Sequence, residues 1–197
     1  TFDMAAALKK GPVVLYFYPK AFTSGCTIES HLFAEATPEF SKLGATVIGT
    51  VSTPDKAALA TDAGADHVLF YKSEDVAARV RDITGGAGVR VTFDGIGMST
   101  WETSLAATGR RGMIVSYGNA GGPVSGVNLG VLAQKGSLFV TRPTLFDYYA
   151  DPVERQAGAD YVFDMFRQGV ISANIGQTYA LEDVAQAHRD LEAGKTV

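Results

Sequence analysis

The only cysteine of the chain, Cys26, sits in the stretch YPKAFTSGCT, residues 18–27. A thiolate is a nucleophile and a redox centre, and a lone cysteine excludes an internal disulfide. The stretch stands where an apolar strand ordinarily leads into a glycine-rich phosphate turn, yet here the turn carries Lys20, Phe22 and Thr23, with only Gly25 small. Such turns need glycines so that backbone amides can approach a phosphate closely. Tight pyrophosphate docking is therefore expected to be impaired. His31, His67 and His188 are scattered and have no neighbouring cysteine, which gives no zinc-ligand spacing. No metal site is expected.

A second constellation lies in TVSTPDK, residues 50–56. No acidic residue follows the strand directly, so nothing there is placed to accept from both hydroxyls of a ribose. Ser52 could instead hydrogen-bond, and Lys56 charge-pair, with a 2′-phosphate. The plainer reading is that Ser52 and Thr53 cap a helix and Lys56 is solvated. The GGAG at 85–88 precedes a strand and opens no helix, so it reads as a turn.

These residues must be held by elements, and the sequence alternates them. Runs rich in β-branched and aromatic residues occur at 13–18, 45–51, 67–71, 89–95, 112–118 and 137–143. Several are almost continuously apolar, as strands covered on both faces should be. Between them the spacing predicts helices over 27–36, 54–63, 75–83 and 100–108. Pro54 follows the cap residue Thr53, and Gly109 is the expected stop of the fourth helix. Two more helices are expected over 151–168, stopped by Gly169, and within 180–194. Alternating strands and helices imply a parallel sheet, and right-handed crossovers favour the doubly wound order. The expected fold is α/β, a three-layer sandwich around a Rossmann-like parallel sheet.

With 197 residues, 46% hydrophobic, and a net charge of −4, the chain reads as one ordinary soluble domain. It has no dense basic cluster of the kind that neutralises nucleic-acid phosphates, and no apolar run long enough to span a bilayer. No nucleic acid and no membrane are expected as partners, and the location is expected to be cytoplasmic.

From about Gly44 to the end, the chain resembles the nucleotide-binding domain of zinc-independent quinone oxidoreductases in the medium-chain dehydrogenase superfamily. The resemblance is carried by GATVIGTVSTPDKAALATDAGADHVLFY, VRVTFDGIGMSTWETSL, GRRGMIVSYGNAGGPV, LAQKGSLFVTRPTLFDY and YALEDVAQAHRDLEAGKT. It implies NADP(H) as cofactor, with Ser52 and Lys56 at its 2′-phosphate and Tyr71 near the adenosine end. It places Gly118 and Asn119 near the middle, and Phe139 and Thr141 near the nicotinamide. From Thr1 to about Gly44 the chain instead resembles a peroxiredoxin, whose P-x-x-x-T-x-x-C pattern falls on Pro19, Thr23 and Cys26. That resemblance implies peroxide attack by the Cys26 thiolate, with Thr23 hydrogen-bonding the peroxide and Pro19 shielding the pocket. His31 stands where some members carry a resolving cysteine, so turnover would need an external thiol.

The two resemblances together imply one hybrid α/β domain over 1–197, with a strand, loop and helix of thioredoxin-like origin (1–44) joined to a Rossmann portion (45–197). Because halves are joined inside one sheet, the expectation is an engineered chimera without efficient catalysis, with NADP(H) affinity weakened by loss of the glycine-rich loop. An NADP(H)-binding quinone oxidoreductase fragment and a thiol peroxidase acting through Cys26 are the alternatives. A monomer or a homodimer is expected.

Overall fold

The computed structural model describes residues 13–17, 44–169, 175 and 177–193. Six strands form one sheet: β1 (Val13–Phe17), β2 (Thr46–Val51), β3 (His67–Phe70), β4 (Val89–Asp94), β5 (Thr108–Ser116) and β6 (Phe139–Thr141). Their order is β3-β2-β1-β4-β5-β6 and every pair is parallel. This is the doubly wound order expected from the sequence. The predicted juxtaposition of the first two strands holds in register, Val13 beside Thr46 through Phe17 beside Thr50. β1 occupies the sheet centre between β2 and β4, where the direction of winding reverses.

The helices follow the same logic. α1 (Pro54–Asp62) links β2 to β3, α2 (Val76–Ile83) links β3 to β4, and α3 (Trp101–Ala107) links β4 to β5. The crossover through α1 moves away from the sheet centre and that through α2 moves back across it. Right-handed connections of opposite direction lie on opposite faces. The pleat sends alternate side chains to the two faces. Ile48 accordingly joins Leu69, Val76, Val80, Val89 and Ala107 in one buried cluster under α2 and α3. A second cluster forms from Trp101, Leu105, Ile114 and Leu138, with Val124, Val127, Val131 and Leu132 packed against it. α2 begins at Asp75, whose carboxylate accepts from the Ala78 amide at 3.0 Å, and this satisfies a helix-end donor that would otherwise lack a partner. Near its other end Arg81 donates to the carbonyls of Ala106, Thr108 and Gly86, fastening the close of α3 and the start of β5.

One boundary differs from expectation. The sequence suggests that the fourth helix stops at Gly109 and a new strand starts at Gly112, whereas α3 ends at Ala107 and β5 runs on directly from Thr108. The register explains it: Val89 pairs with Thr108 but Val91 pairs with Met113, so residues 109–112 oppose Arg90 alone. This is an extended β-bulge, with Arg111 at φ 58° and glycines at 109 and 112 that look like breakers when read along the chain.

Beyond Leu138 lie β6 and four further pieces: α5 (Leu145–Tyr148), α6 (Pro152–Arg167), a 3₁₀ turn (Leu181–Asp183) and α7 (Val184–Glu192). A short α4 (Gly130–Gln134) precedes β6. α4 and α5 were not expected from sequence, because five and four residues are too short to show a helical period. Among the described residues no helix is long and apolar enough to cross a membrane.

Candidate functional site

In a doubly wound sheet, ligands bind outside the carboxyl ends of the strands where the winding reverses. Here that point lies between Phe17 of β1 and Asp94 of β4, which are register partners. The residues singled out from sequence fall on either side of it.

On the β2–β3 side, Ser52, Thr53 and Lys56 are half-buried around the turn into α1. Thr53 is the cap residue of α1, in extended conformation, yet its hydroxyl makes no capping hydrogen bond. The plainer reading of Thr53 as the helix cap thus holds in position, without a side-chain bond. The Tyr71 amide donates to the Val51 carbonyl at 3.1 Å, which brings Tyr71, 40% exposed, beside Ser52. Ser52, Lys56 and Tyr71 therefore share one corner of the cleft. Thr50, near the end of β2, is 1% exposed, and its hydroxyl has no hydrogen-bond partner among the described residues, an uncommon state for a buried polar atom.

On the other side stand the loops after β4 and β5. The Tyr117 amide donates to the Asp94 carbonyl at 2.9 Å, the Gly121 amide to Ile96 at 2.6 Å, the Ala120 amide to Gly95 at 3.3 Å, and the Met98 amide to Gly122 at 2.8 Å. The contact leaves no room for side chains: a Cβ on Gly118 would strike the Gly95 carbonyl, and one on Gly95 would lie 2.8 Å from the Tyr117 ring. Asn119 is exposed at the tip. Phe139 and Thr141 lie two residues apart on one face of the edge strand β6, both exposed. Arg142, just beyond, donates to the Ser116 carbonyl at 2.9 Å and ties the end of β6 to that of β5. The structure thus gathers Ser52, Lys56 and Tyr71 on one side, with Gly118, Asn119 and Thr141 on the other. Pro19, Thr23, Cys26 and the turn that contains them lie outside the described residues.

Sequence reading missed Asp94. Its carboxylate is 1% exposed and accepts from the amides of Ile96 (2.9 Å) and Gly97 (3.0 Å), the Thr100 hydroxyl (2.9 and 3.0 Å) and the Ser104 hydroxyl (2.6 Å). The available signal was an aspartate at a strand end in DGIG, followed by hydroxyl residues six and ten positions on. Behind it, Thr108 donates to the Ser104 carbonyl at 2.7 Å, so the 2.7 Å contact between Thr92 and Thr108 has Thr92 as donor. On the C-terminal segment, the Tyr179 phenol is raised above its ordinary range, first by desolvation and then by the Asp190 carboxylate to which it donates.

A dinucleotide carrying a 2′-phosphate suits this cleft. The end of β2 leads through the hydroxyls of Ser52 and Thr53 to the amine of Lys56, with Asp55 as the first carboxylate after the strand, and the loops after β4 and β5 present backbone close to the surface. Ser52, Lys56 and Tyr71 would hold its phosphorylated end, and Gly118, Asn119, Phe139 and Thr141 the rest. Among the described residues no three His, Cys, Asp or Glu side chains gather as a metal site.

Comparison with known proteins agrees with the fold. The zinc-binding dehydrogenase family matches residues 41–148, and the AhpC/TSA family matches residues 1–79. A quinone oxidoreductase of Pseudomonas aeruginosa is 44% identical over 203 residues, an alignment that takes in 99% of this chain and 62% of the relative. The chain thus spans about three fifths of that relative's length. Among solved structures, the quinone oxidoreductase of Pseudomonas syringae pv. Tomato DC3000 superposes with a TM-score of 0.81 at 44% identity, covering 95% of this chain and 55% of the other. The Escherichia coli quinone oxidoreductase complexed with NADPH gives 0.79 at 41% identity, covering 95% and 56%. The sequence alignment runs through nearly the whole chain, first segment included. The quinone oxidoreductase reading therefore has more support than that of an engineered chimera.

Proposed function

The chain belongs to the zinc-binding dehydrogenase family, and from that premise we propose that it binds NADP(H) across the strand ends and serves NADPH-dependent reduction of a quinone. Bound there, the dinucleotide would supply a hydride, and the quinone would take one further proton to become the hydroquinone. The chain's own part is to bind and orient. Lys56 neutralises the 2′-phosphate, Ser52 hydrogen-bonds it, and Tyr71 flanks the adenosine. The backbone at Gly118 and Asn119 lies along the middle, while Phe139 and Thr141 flank the ring that reacts.

The observation that carries this reading is the half-buried Ser52 and Lys56 near Tyr71, at the end of a strand that no carboxylate follows directly. A charge-assisted hydrogen bond contributes roughly 1.5–3 kcal/mol, so Lys56→Ala should weaken NADPH binding about tenfold or more while leaving NADH binding almost unchanged. Titration followed by the cofactor's own fluorescence measures both. No saturable signal with NADPH up to millimolar concentration rules the reading out.

A second reading has its own support, the AhpC/TSA match over residues 1–79, which contains Pro19, Thr23 and Cys26. In it, the Cys26 thiolate reduces peroxide and an external thiol restores it. The overlap of the two family matches at residues 41–79 is what supports a hybrid ancestry. Hydrogen peroxide consumed no faster by the wild-type chain than by Cys26→Ser, with dithiothreitol present, removes the peroxidase reading.

A further inference from the structure

We infer that Asp94 is a positioning residue for the cofactor. Its buried carboxylate fixes the loop after β4, and through it the loop after β5 that carries Gly118 and Asn119. The inference rests on the NADP(H) reading, and concerns a residue that touches no cofactor in it.

The argument begins with the carboxylate's geometry. Asp94 Oδ1 accepts the amides of Ile96 and Gly97, two and three residues ahead, so the chain must bend back over its own strand end as soon as β4 stops. Oδ2 accepts from Ser104 at 2.6 Å, and the Thr100 hydroxyl bridges both oxygens. The bend is therefore bound to the first turns of α3 as well. Two amides and two hydroxyls converge on this carboxylate, and without it the buried Gly97 amide and the part-buried Ile96 amide would be left unsatisfied.

The bent loop then acts as a template. With its amides turned inward to the carboxylate, it presents the Gly95 and Ile96 carbonyls outward, and these accept the Ala120 and Gly121 amides. Gly97, at φ 90°, returns the chain so that the Met98 amide meets the Gly122 carbonyl. The position of Gly118 and Asn119 is thus set by hydrogen bonds whose acceptors are set by Asp94. The Ile96 side chain packs against the Ile48–Val80 cluster, which anchors the same loop to the core. None of the hydrogen bonds just described involves Ser52 or Tyr71, which follow β2 and β3, or Lys56, in the first turn of α1.

The two sides of the cleft should therefore respond differently to loss of the carboxylate. Two ligands separate them: NADPH, which spans both, and 2′-AMP, which reports the Ser52–Lys56–Tyr71 corner alone. In Asp94→Ala, NADPH affinity should fall about tenfold or more, while 2′-AMP affinity changes less than about twofold. Asp94→Asn should recover most of the loss, because its carbonyl can still accept the two amides while its amide group donates to the Ser104 and Thr100 hydroxyls. A general loss of structure would reduce both ligands together and would not be rescued by asparagine. Equal loss of both ligands, or none of either, overturns the inference. Thr100→Val, which deletes one donor and leaves the carboxylate, should give a smaller shift in the same direction and serves if Asp94→Ala does not fold. Should wild-type protein bind neither ligand, the NADP(H) reading fails on its own. Positioning is then read from hydrogen exchange: the Ala120 and Gly121 amides should exchange faster in Asp94→Ala, or in Thr100→Val if that variant does not fold, than in wild type, and unchanged exchange overturns it.

Discussion

The stretch from Ala45 to Leu138 and the stretch from Phe139 to Glu192 contain apolar residues of the same kinds, but they use them differently. Among the described residues, the buried apolar side chains all lie in the first stretch except Met165. In the second, Phe146 is 85% exposed, Val153 77% and Leu181 87%. α6 has sixteen residues and buries Met165 alone; α7 buries none. The first stretch has a sheet to pack on, so each helix that crosses it gains a partner layer. The second is built of helices whose local signals are sound, with an Asp151 cap, Pro152 at the first position and a Gly169 stop, yet whose apolar positions meet little of the sheet. Local rules make a helix; a partner surface makes it part of a core.

The largest test of this contrast is a matched truncation. Leu105 is fully buried beside Trp101, Ile114 and Leu138, and Leu105→Ala should cost about 2–5 kcal/mol. Leu181→Ala removes the same atoms from an exposed site and should change stability by less than about 0.5 kcal/mol. Urea midpoints at constant slope compare them, and similar shifts for both would erase the distinction.

A smaller effect separates two glycines. Gly118→Ala would drive a methyl group into the Gly95 backbone carbonyl, which neither loop can move without breaking the ladder between them, and should cost about 1–3 kcal/mol. Gly158→Ala places its methyl group 2.5 Å from the Tyr149 ring, a side chain that can turn away, and alanine favours the helix by roughly 1 kcal/mol. Its net effect should be near zero or stabilising. Thermal unfolding of the two variants decides it, and a loss at Gly158 as large as that at Gly118 would mean that the second stretch is as tightly determined as the first.

The same division explains what could be read in advance. The strands were legible because runs such as TVIGTV are apolar on both faces, and the order of the sheet followed from alternation and handedness. Ser52, Lys56 and Tyr71 were legible because a residue at a strand end needs little else to be placed. Asp94 was not, since its role lies in bonds to Ser104 and to a loop that meets residues 117–122, and no periodicity records such a contact. The bulge at 109–112 hid behind glycines and a left-handed Arg111 that look like a break. The exposed face of α6 was illegible for the opposite reason: Val153, Tyr161, Val162, Met165 and Phe166 read as its apolar positions, and only the fold shows that Val153 and Tyr161 are exposed while Met165 is buried.

The finest test uses two caps of equal chemistry. Asp75 accepts from the Ala78 amide at 3.0 Å at the start of α2, and Asp151 from the Val153 amide at 2.7 Å at the start of α6. Each should lose about 1 kcal/mol of helix stability on replacement by alanine. α2 places Val76 and Val80 in the core, so its fraying opens the sheet, and Asp75→Ala should lower the whole transition. Among the described residues α6 buries only Met165, so Asp151→Ala should reduce helical ellipticity at low denaturant without moving the transition of the core. The single tryptophan, Trp101, is buried in that core, and its fluorescence reports the sheet while far-ultraviolet dichroism reports all the helices. In Asp151→Ala the dichroism should begin to fall before the fluorescence does; in Asp75→Ala both should shift together. If the two probes stay coincident in Asp151→Ala and move as far as in Asp75→Ala, α6 unfolds only with the core, and its exposed face is coupled to the sheet more strongly than its burial indicates.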